Sequence, residues 1–205
     1  MLKKILFSSL IILPSLSIAN NNLNPILQLG YDFGGTTLAT VQHTYDSDQK
    51  IRAGEGLSFE VGAAVGNPDS NLELQFLIGY KIDQVTASNG EVTWDSIPFT
   101  ALAMIKDKRW KFGGGITYHL NPELSGNFTG YDNNGEYFND SANDEYENSI
   151  GGVVQIQYRA TDSLSVGLKG TFIEYKLKND PTIVAKGNSI GMNVTYTFGQ
   201  RSEFR

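Results

Sequence analysis

The sequence contains no cysteine. This absence removes disulfide bonds, thiolate metal sites, cysteine nucleophiles and lipid attachment to an N-terminal cysteine. It also argues against the small secreted folds that disulfides hold together. Beyond the N-terminus, no segment has the ~18 consecutive apolar residues of a membrane-spanning helix. Basic residues are outnumbered, with 16 Lys and Arg against 22 Asp and Glu, so we do not expect nucleic acid as a partner.

The N-terminus has the three parts of a secretory signal peptide. Lys3 and Lys4 form a positive start, an apolar run covers residues 5–16, and Ser17 and Ala19 are small residues at the −3 and −1 positions of a cleavage site. We therefore expect residues 1–19 to be removed after export. The remaining residues 20–205 have a length that suits one domain.

Apolar and polar residues alternate along most of this remaining chain, as they do in β-strands with two different faces. We predict eight strands, at about residues 26–41, 57–65, 72–81, 92–106, 110–120, 150–159, 164–177 and 188–198. In the last one, an apolar set of Ile190, Met192, Val194, Tyr196 and Phe198 alternates with Gly191, Asn193, Thr195 and Thr197. Irregularities are expected at Gly34-Gly35, at Pro98 and at Ile173.

The connections between these strands alternate in length. They are short after strands two, four and six, whereas those after strands one, three, five and seven cover residues 42–56, 82–91, 121–149 and 178–187. This alternation predicts an all-β fold, an eight-stranded antiparallel up-and-down barrel with its short turns on one side of a membrane and its long loops on the other. Both termini would then lie at the turn end, in the periplasm, with residues 199–205 as a short tail.

Alternation alone does not decide whether the apolar face points into or out of the barrel, and a soluble barrel would bury it. Small polar residues and charges of both signs on the other face favour the transmembrane form. We expect a polar network in the lumen formed by Asp32, Glu60, Glu73, Lys106, Lys111, Arg159 and Lys169. Paired charges would plug the lumen, whereas offset charges would leave a thin path for ions. Aromatics near strand ends would form interface girdles: Trp94, Trp110, Tyr118, Tyr158, Tyr175, Tyr196 and Phe198.

With its signal peptide, eight alternating strands and terminal aromatic strand, the chain resembles the small outer-membrane β-barrel proteins of Gram-negative bacteria, the OmpA/OmpX-like group. The stretch SIGMNVTYTF is similar to the C-terminal signal that the barrel assembly machinery reads in that group. Gly191, Val194, Tyr196 and Phe198 occupy the positions of that signal. The resemblance implies outer-membrane lipid and lipopolysaccharide as surroundings, and a monomeric state. The chain departs from the group's pattern by continuing past the terminal aromatic residue.

The two histidines are the candidates for catalysis. Both His43 and His119 fall near the loop ends of strands, where barrel enzymes that modify lipid A keep their active sites. His43 with Asp95 and Ser96 would match the residue types of a palmitoyltransferase, whereas His119 lacks the nearby serine of a deacylase. Because no complete motif is present, a rim histidine bonded to loop backbone is the simpler interpretation, and we expect no enzyme activity.

The third long connection, residues 121–149, contains seven acidic residues and no Lys or Arg. Asp132, Asn134 and Glu136 have the oxygen ligands that calcium prefers, without the spacing of an EF-hand loop. A solvated acidic surface is the simpler interpretation, so we expect no metal and no cofactor. An extracellular partner of this loop cannot be named from the sequence.

Three functional hypotheses follow. The first is a cell-envelope protein with a structural or surface-interaction role and a plugged lumen. The second is a narrow, porin-like channel for small or apolar solutes. The third is an enzyme that modifies lipid A.

Overall fold

We analysed a computed structural model of the chain. The structure describes residues 23–41, 49–66, 70–87, 90–131 and 137–199. The predicted signal peptide and nearly all of the predicted tail lie outside these residues. The strands are β1 (Leu23–Gly34), β2 (Thr37–Val41), β3 (Gln49–Arg52), β4 (Gly56–Val65), β5 (Leu72–Ala87), β6 (Gly90–Asp107), β7 (Trp110–Tyr131), β8 (Tyr137–Glu145), β9 (Ser149–Arg159), β10 (Leu164–Phe172), β11 (Glu174–Lys176), β12 (Val184–Lys186) and β13 (Ser189–Thr197).

The eight long strands close into an antiparallel barrel. Their order is β1, β4, β5, β6, β7, β9, β10 and β13, and β13 pairs with β1 over nine residue pairs from Ile26↔Thr197 to Gly34↔Ser189. Each strand thus lies beside its neighbour in the chain, and no barrel edge is left unpaired. This is the predicted up-and-down topology. No helix in the part of the chain that the structure describes is long and apolar enough to span a membrane.

The apolar face of every barrel strand points outward. Ile150, Ile190 and Phe172 are 66%, 62% and 58% exposed, and each of the other five barrel strands exposes large apolar side chains as well. Soluble proteins rarely expose apolar patches of more than a few hundred Å². A continuous apolar belt around a closed barrel with a polar interior is instead the surface of a barrel that crosses a lipid bilayer. The transmembrane alternative is therefore confirmed over the soluble one.

Several strands continue well beyond the length that a bilayer requires. β6 has 18 residues and β7 has 22, against the ~9–11 that a tilted strand needs to cross. β8 pairs with this extension of β7, from Glu123↔Glu145 to Tyr131↔Tyr137. Much of residues 82–91 and 121–149, predicted as loops, is therefore paired strand at what we term the loop end. The opposite end, with the short connections, is the turn end.

The strand irregularity predicted at Gly34-Gly35 is present, whereas the one predicted at Pro98 is not in the strand itself. Gly34 and Gly35 have φ of 125° and 92°, and the chain leaves the barrel there to form the β2–β3 hairpin. Pro98, however, lies within a continuous β6. The register shift is in the pairing of β6 with β7, between Asp95 and Ile97, because β7 has an extra residue near Asn121, whose φ is 46°.

Because β6 is continuous, its alternation does not change phase at Pro98. Val92 and Trp94 therefore point inward with Thr100, and Trp94 is fully buried. At Ile173 the apolar residues change face as predicted, but the alternation of the chain does not change phase. Thr171, Ile173 and Tyr175 all point inward, and Tyr175 is 1% exposed. Trp94 and Tyr175 were thus wrongly assigned to the aromatic girdle. Trp110 and Tyr158 do pack together on the outer face, with ring centroids 4.9 Å apart.

The outward face of β10 provides a direct test of the membrane placement. Leu168 is 49% exposed in the middle of the apolar belt. In a bilayer, Leu168→Arg should lower the free energy of unfolding by about 2–4 kcal/mol, because a guanidinium group is costly near the midplane. The measurement is equilibrium urea unfolding in lipid vesicles.

Thr86→Arg is the matched control, because Thr86 is exposed on the part of β5 beyond the belt. It should change stability by less than about 0.5 kcal/mol. Equal effects of the two arginines would contradict the assignment of the belt to lipid.

Candidate functional site: the barrel interior

The candidate functional site is the barrel interior, because every second side chain of the eight barrel strands points into it. Between the turn end and the loop end it contains an ion pair, an apolar cluster, a central polar network, a histidine cluster and a second apolar cluster.

An isolated ion pair lies at the turn end. Lys111 Nζ donates hydrogen bonds of 2.8 and 3.0 Å to the two carboxylate oxygens of Glu73, and Gln75 Nε2 donates one of 2.8 Å to the same carboxylate. All three side chains are buried. Burial of a charge is costly unless an opposite charge and hydrogen bonds compensate it, and this cluster meets both conditions.

Next to this pair is an apolar cluster, formed by Ile26, Ala64, Leu77, Leu102, Met104 and Val153. Met104 is fully buried, and the other five are at most 4% exposed. These side chains come from the inward faces of β1, β4, β5, β6 and β9, so they cross the lumen from several sides.

The centre of the lumen holds two acids and two lysines. Lys81 Nζ lies 2.8 Å from Asp32 Oδ2 and also donates a 2.7 Å hydrogen bond to the Gly54 carbonyl oxygen. Lys169 Nζ lies 3.5 Å from the same Asp32 oxygen and 3.3 Å from Glu60 Oε1. The four charges sum to zero, and Lys169 joins the two carboxylates into one network.

Amide and hydroxyl side chains extend this network across the junction between β1 and β13, the first and last strands of the barrel. Gln28 Oε1 accepts hydrogen bonds from Gln155 Nε2 at 3.3 Å and from Thr195 Oγ1 at 2.9 Å. Gln28 Nε2 in turn donates to Glu60, and Gln157 Nε2 donates to Thr195. A cavity beside the network, bordered by Asp32 and Lys169 among others, has room for about one water molecule.

His119 lies on the loop side of this network. Its Nδ1 is 2.9 Å from the Tyr175 hydroxyl and 3.3 Å from Ser96 Oγ. All three residues are buried. Two hydroxyl groups therefore lie within hydrogen-bonding distance of one ring nitrogen.

The larger apolar cluster lies at the loop end, and we term it the cap. Its centre is Trp94, which packs edge-on against Tyr146 and Tyr175 with centroid distances of 5.2 Å each. Burial and, to a smaller extent, the neighbouring Asp144 raise the pKa of Tyr146 above its ordinary value. The buried members of the cap are Ile51, Ala53, Val85, Val92, Trp94, Tyr146, Ile173, Tyr175 and Ala185.

The predicted lumen residues are brought together in part. Asp32, Glu60 and Lys169 meet in the central network, and Glu73 pairs with Lys111. Arg159 lies at the turn end, where its Nη2 donates to the Lys108 carbonyl oxygen at 2.9 Å. Lys106 is only partly buried at the same end.

Lys81 was not among the predicted lumen residues, although it contacts Asp32 in the network and the carbonyl oxygen of Gly54, the residue that follows Ala53 of the cap. The alternation of its strand could have identified Lys81 as a lumen residue, because it shares the polar face with Glu73 and Gln75. Gln28, Gln155, Gln157 and Thr195 were also left out, because uncharged polar residues do not identify themselves as members of a network.

The structure does not assemble the proposed catalytic set. Asp95 and Ser96 are consecutive residues on one strand, so they face opposite sides: Tyr80 on the outer face donates to Asp95, whereas Ser96 is buried inside. The partner of Ser96 is His119, and His43 lies outside the described residues. The grouping of Asp95 with Ser96 is therefore wrong on geometric grounds.

The weak metal candidates Asp132, Asn134 and Glu136 also lie outside the described residues. Within the described ranges, no group of three or more acidic or histidine side chains could hold a metal ion.

The residues of the proposed assembly signal divide between the two faces of β13. Val194, Tyr196 and Phe198 are exposed on the outer face, where Tyr196 and Phe198 stack edge-on at 4.8 Å. Gly191 points inward at the central network. A methyl group on Gly191 would overlap Asp32 Oδ1, so this position has a packing requirement of its own.

Comparisons with known proteins return solved barrels and no sequence relatives. No protein-family model matches the chain, and no curated protein does. Neisserial surface protein A is 10% identical with a TM-score of 0.47, over 86% of this chain and 97% of that one. Ail, the attachment invasion locus protein of Yersinia pestis, has the same identity and TM-score, over 86% and 99%.

A third similar structure is the outer membrane protein AlkL in lipid bilayers. It is 14% identical with a TM-score of 0.42, over 94% of this chain and 98% of that one. With identities this low and TM-scores below 0.5, these likenesses say nothing about what the present chain binds or does. Its fold and its lipid-facing surface follow from its own strand pairing and exposure.

The Glu73–Lys111 pair can be tested by a double-mutant cycle. Lys111→Met should lower the free energy of unfolding by about 3–5 kcal/mol, because it leaves the Glu73 charge buried without its partner. Adding Glu73→Gln should recover part of that loss. Urea unfolding in lipid vesicles measures each variant, and Lys106→Met is the control at the same end, with an expected change below about 1 kcal/mol. Additive single effects would contradict a direct interaction.

Gly191→Ala should cost about 1–3 kcal/mol of stability, because the new methyl group must displace Asp32. The loss should be smaller when the same change is made in an Asp32→Ala background. Refolding and unfolding in lipid vesicles, without any assembly machinery, isolates this packing effect from recognition during assembly. Equal losses in the two backgrounds would show that Asp32 is not the residue that requires a glycine.

Proposed function

We propose that the protein is a non-enzymatic structural component of the outer membrane, with a lumen closed to ions and with its strand extensions presented at the cell surface. The observation that carries this proposal is the filling of the lumen, by a charge-balanced network between two apolar clusters.

The free energy needed to open the lumen supports a closed state. The side chains of the central network are held by hydrogen bonds and ion pairs in a low-dielectric space, and separating them would leave buried charges without partners. An eight-stranded barrel has an interior that side chains can fill, and the neighbouring cavity has room for about one water molecule. An ion would therefore have to displace both the network and the cap.

The arrangement around His119 also supports a non-enzymatic role. A serine and a histidine in contact can form a nucleophile and its base, but a substrate must reach them. Here Ser96 is 1% exposed and His119 is 4% exposed, beneath the cap. The hydrogen bonds of His119 instead tie β6, β7 and β11 together.

The outer surface supports lipid as the main partner. Among the residues that the structure describes, apolar side chains are exposed on all eight barrel strands and no strand interrupts the belt, which favours a monomer in the outer-membrane lipid. We also propose that the outward residues Val194, Tyr196 and Phe198 are read by the barrel assembly machinery. Their exposure on a terminal strand supports this role. The strand extensions at the loop end would meet any extracellular partner.

Single-channel recording in planar lipid bilayers tests the closed lumen. Folded wild-type protein, with insertion verified by the shift in gel migration on boiling, should give no reproducible conductance steps. A variant carrying Trp94→Ala, Tyr175→Ala, Lys81→Ala, Leu77→Ala and Met104→Ala should give steps, because it removes the centre of the cap, the lysine below it and two large side chains of the other apolar cluster. Regular steps from the wild-type protein would overturn the proposal in favour of a narrow channel.

A further inference from the structure

The β2–β3 hairpin is attached to the molecule differently from the eight barrel strands. Among the residues that the structure describes, β2 and β3 form a sheet of their own and pair only with each other. The Thr36 amide donates a 2.7 Å hydrogen bond to the Lys186 carbonyl oxygen, and Thr36 Oγ1 accepts one of 3.0 Å from the Lys186 amide. The Arg52 amide donates to the Asp83 carboxylate. Because these bonds are not part of a continuous ladder, the hairpin can separate from its neighbours while the barrel stays closed.

Glycines with unusual backbone angles lie at both feet of this hairpin. Gly34 and Gly35, where the chain enters it, have φ of 125° and 92°, and Gly56, where the chain leaves it, has φ of 134°. Other residues adopt such angles at a cost, whereas glycine does not. Hinges of moving elements are a few positions at element ends that absorb changes in backbone angle. Each foot of the hairpin therefore has a suitable hinge.

Apolar contacts hold the hairpin in its observed position, which we term the seated position. Ile51 and Ala53 are fully buried members of the cap. Leu38 and Ala39 are partly buried and pack against the same cluster. The seated position is thus stabilised by the burial of apolar surface at the loop end.

The exit foot of the hairpin also contacts the central network. Gly54 is buried, and its carbonyl oxygen accepts a hydrogen bond of 2.7 Å from Lys81 Nζ. The same ammonium group lies 2.8 Å from Asp32 Oδ2. Lys169, by contrast, contacts Asp32 and Glu60 within the lumen. Lys81 is therefore the lysine of the network that depends on the hairpin for an acceptor.

Tight backbone packing fixes the position of this foot. A Cβ atom added to Gly54 would lie 2.7 Å from the Gly187 carbonyl oxygen and 3.0 Å from that of Asn188. A Cβ atom added to Gly35 would overlap the Gly54 amide nitrogen. The two feet are thus packed against each other and against the connection between β12 and β13, so a shift of the hairpin must also move the Gly54 carbonyl oxygen.

We propose that the β2–β3 hairpin is a hinged lid and that Lys81 couples its seated position to the central network. While the lid is seated, Lys81 links the Gly54 carbonyl oxygen to Asp32. When the lid lifts, Lys81 loses this acceptor and becomes accessible from the loop end, whereas Asp32 keeps its contact with Lys169. Because coupling between two sites is reciprocal, removal of the Lys81 ammonium group must also loosen the lid.

This coupling gives a contact at the loop end a route to the centre of the lumen. It does not depend on whether the lumen is closed to ions, so conductance measurements do not decide it.

Amine labelling of the folded full-length protein in detergent micelles tests the coupling from the lid to the network. Gly54→Ala forces the exit foot away from its neighbours, so acylation of Lys81 by a water-soluble reagent should become roughly tenfold faster than in the wild type. Mass spectrometry measures the rate. Gly152→Ala is the matched control, because a methyl group there meets nothing within 4 Å. Lys111, buried at the turn end, reports on loosening of the whole barrel and should keep its rate in both variants.

Hydrogen exchange of the backbone amides tests the reverse direction. Lys81→Met should make exchange of the Thr36 and Lys186 amides roughly tenfold faster, because the bonds between these residues break when the lid lifts. Lys111→Met is the control, since it removes the buried lysine at the opposite end and should leave both rates unchanged. Nuclear magnetic resonance in micelles resolves the individual amides.

Equal labelling of Lys81 in Gly54→Ala and Gly152→Ala would overturn the proposal. Equal acceleration of Lys81 and Lys111 would overturn it as well, because the whole barrel would then be opening. Unchanged exchange of the Thr36 amide in Lys81→Met would show that Lys81 does not hold the lid. The gel shift on boiling verifies that each variant is folded before these measurements.

Discussion

The interior of this barrel depends on one constraint: a charge removed from both water and lipid persists only beside an opposite charge. Asp32, Glu60, Lys81 and Lys111 are each at most 4% exposed inside the barrel, so these inward charges must pair with each other. Lys81, Lys169, Asp32 and Glu60 satisfy this requirement jointly, and Lys111 and Glu73 satisfy it alone. The apolar clusters on either side of the central network lower the local dielectric and so strengthen these pairs.

The architecture could be predicted from the sequence because two independent patterns agreed. Alternation with a period of two gave the strands and their faces, and the alternating lengths of the connections gave the topology. Both patterns are local, and each is repeated along the chain. The outward direction of the apolar face required a further argument, from glycine and small polar residues on the other face, which the exposure of residues such as Leu168 and Met192 confirms.

The errors concern residues for which the local pattern has two meanings. Trp94 is apolar and near a strand end, so it resembled a girdle residue, but counting along β6 without a break at Pro98 would have placed it inside. Tyr175 lies on the inward face that Ser165 and Thr171 already mark, and it was assigned by residue type alone. The contact between Ser96 and His119 depends on the register of β6 against β7, which no local pattern specifies. Lys81 was overlooked for a similar reason, because its partners Asp32 and Gly54 are distant in the sequence.

The long sequence separation of these contacts has a consequence for how the barrel forms. Gln28 and Thr195 are 167 residues apart, Gln28 and Gln155 are 127 apart, and Asp32 and Lys81 are 49 apart. Gln28 and Asp32 both belong to the first barrel strand, and Thr195 belongs to the last. While the seam between these strands is open, the carboxylates and amides of β1 face an incomplete set of partners. A half-closed sheet in the membrane therefore bears a penalty that disappears only when the first and last strands meet, and this opposes the accumulation of partly closed barrels.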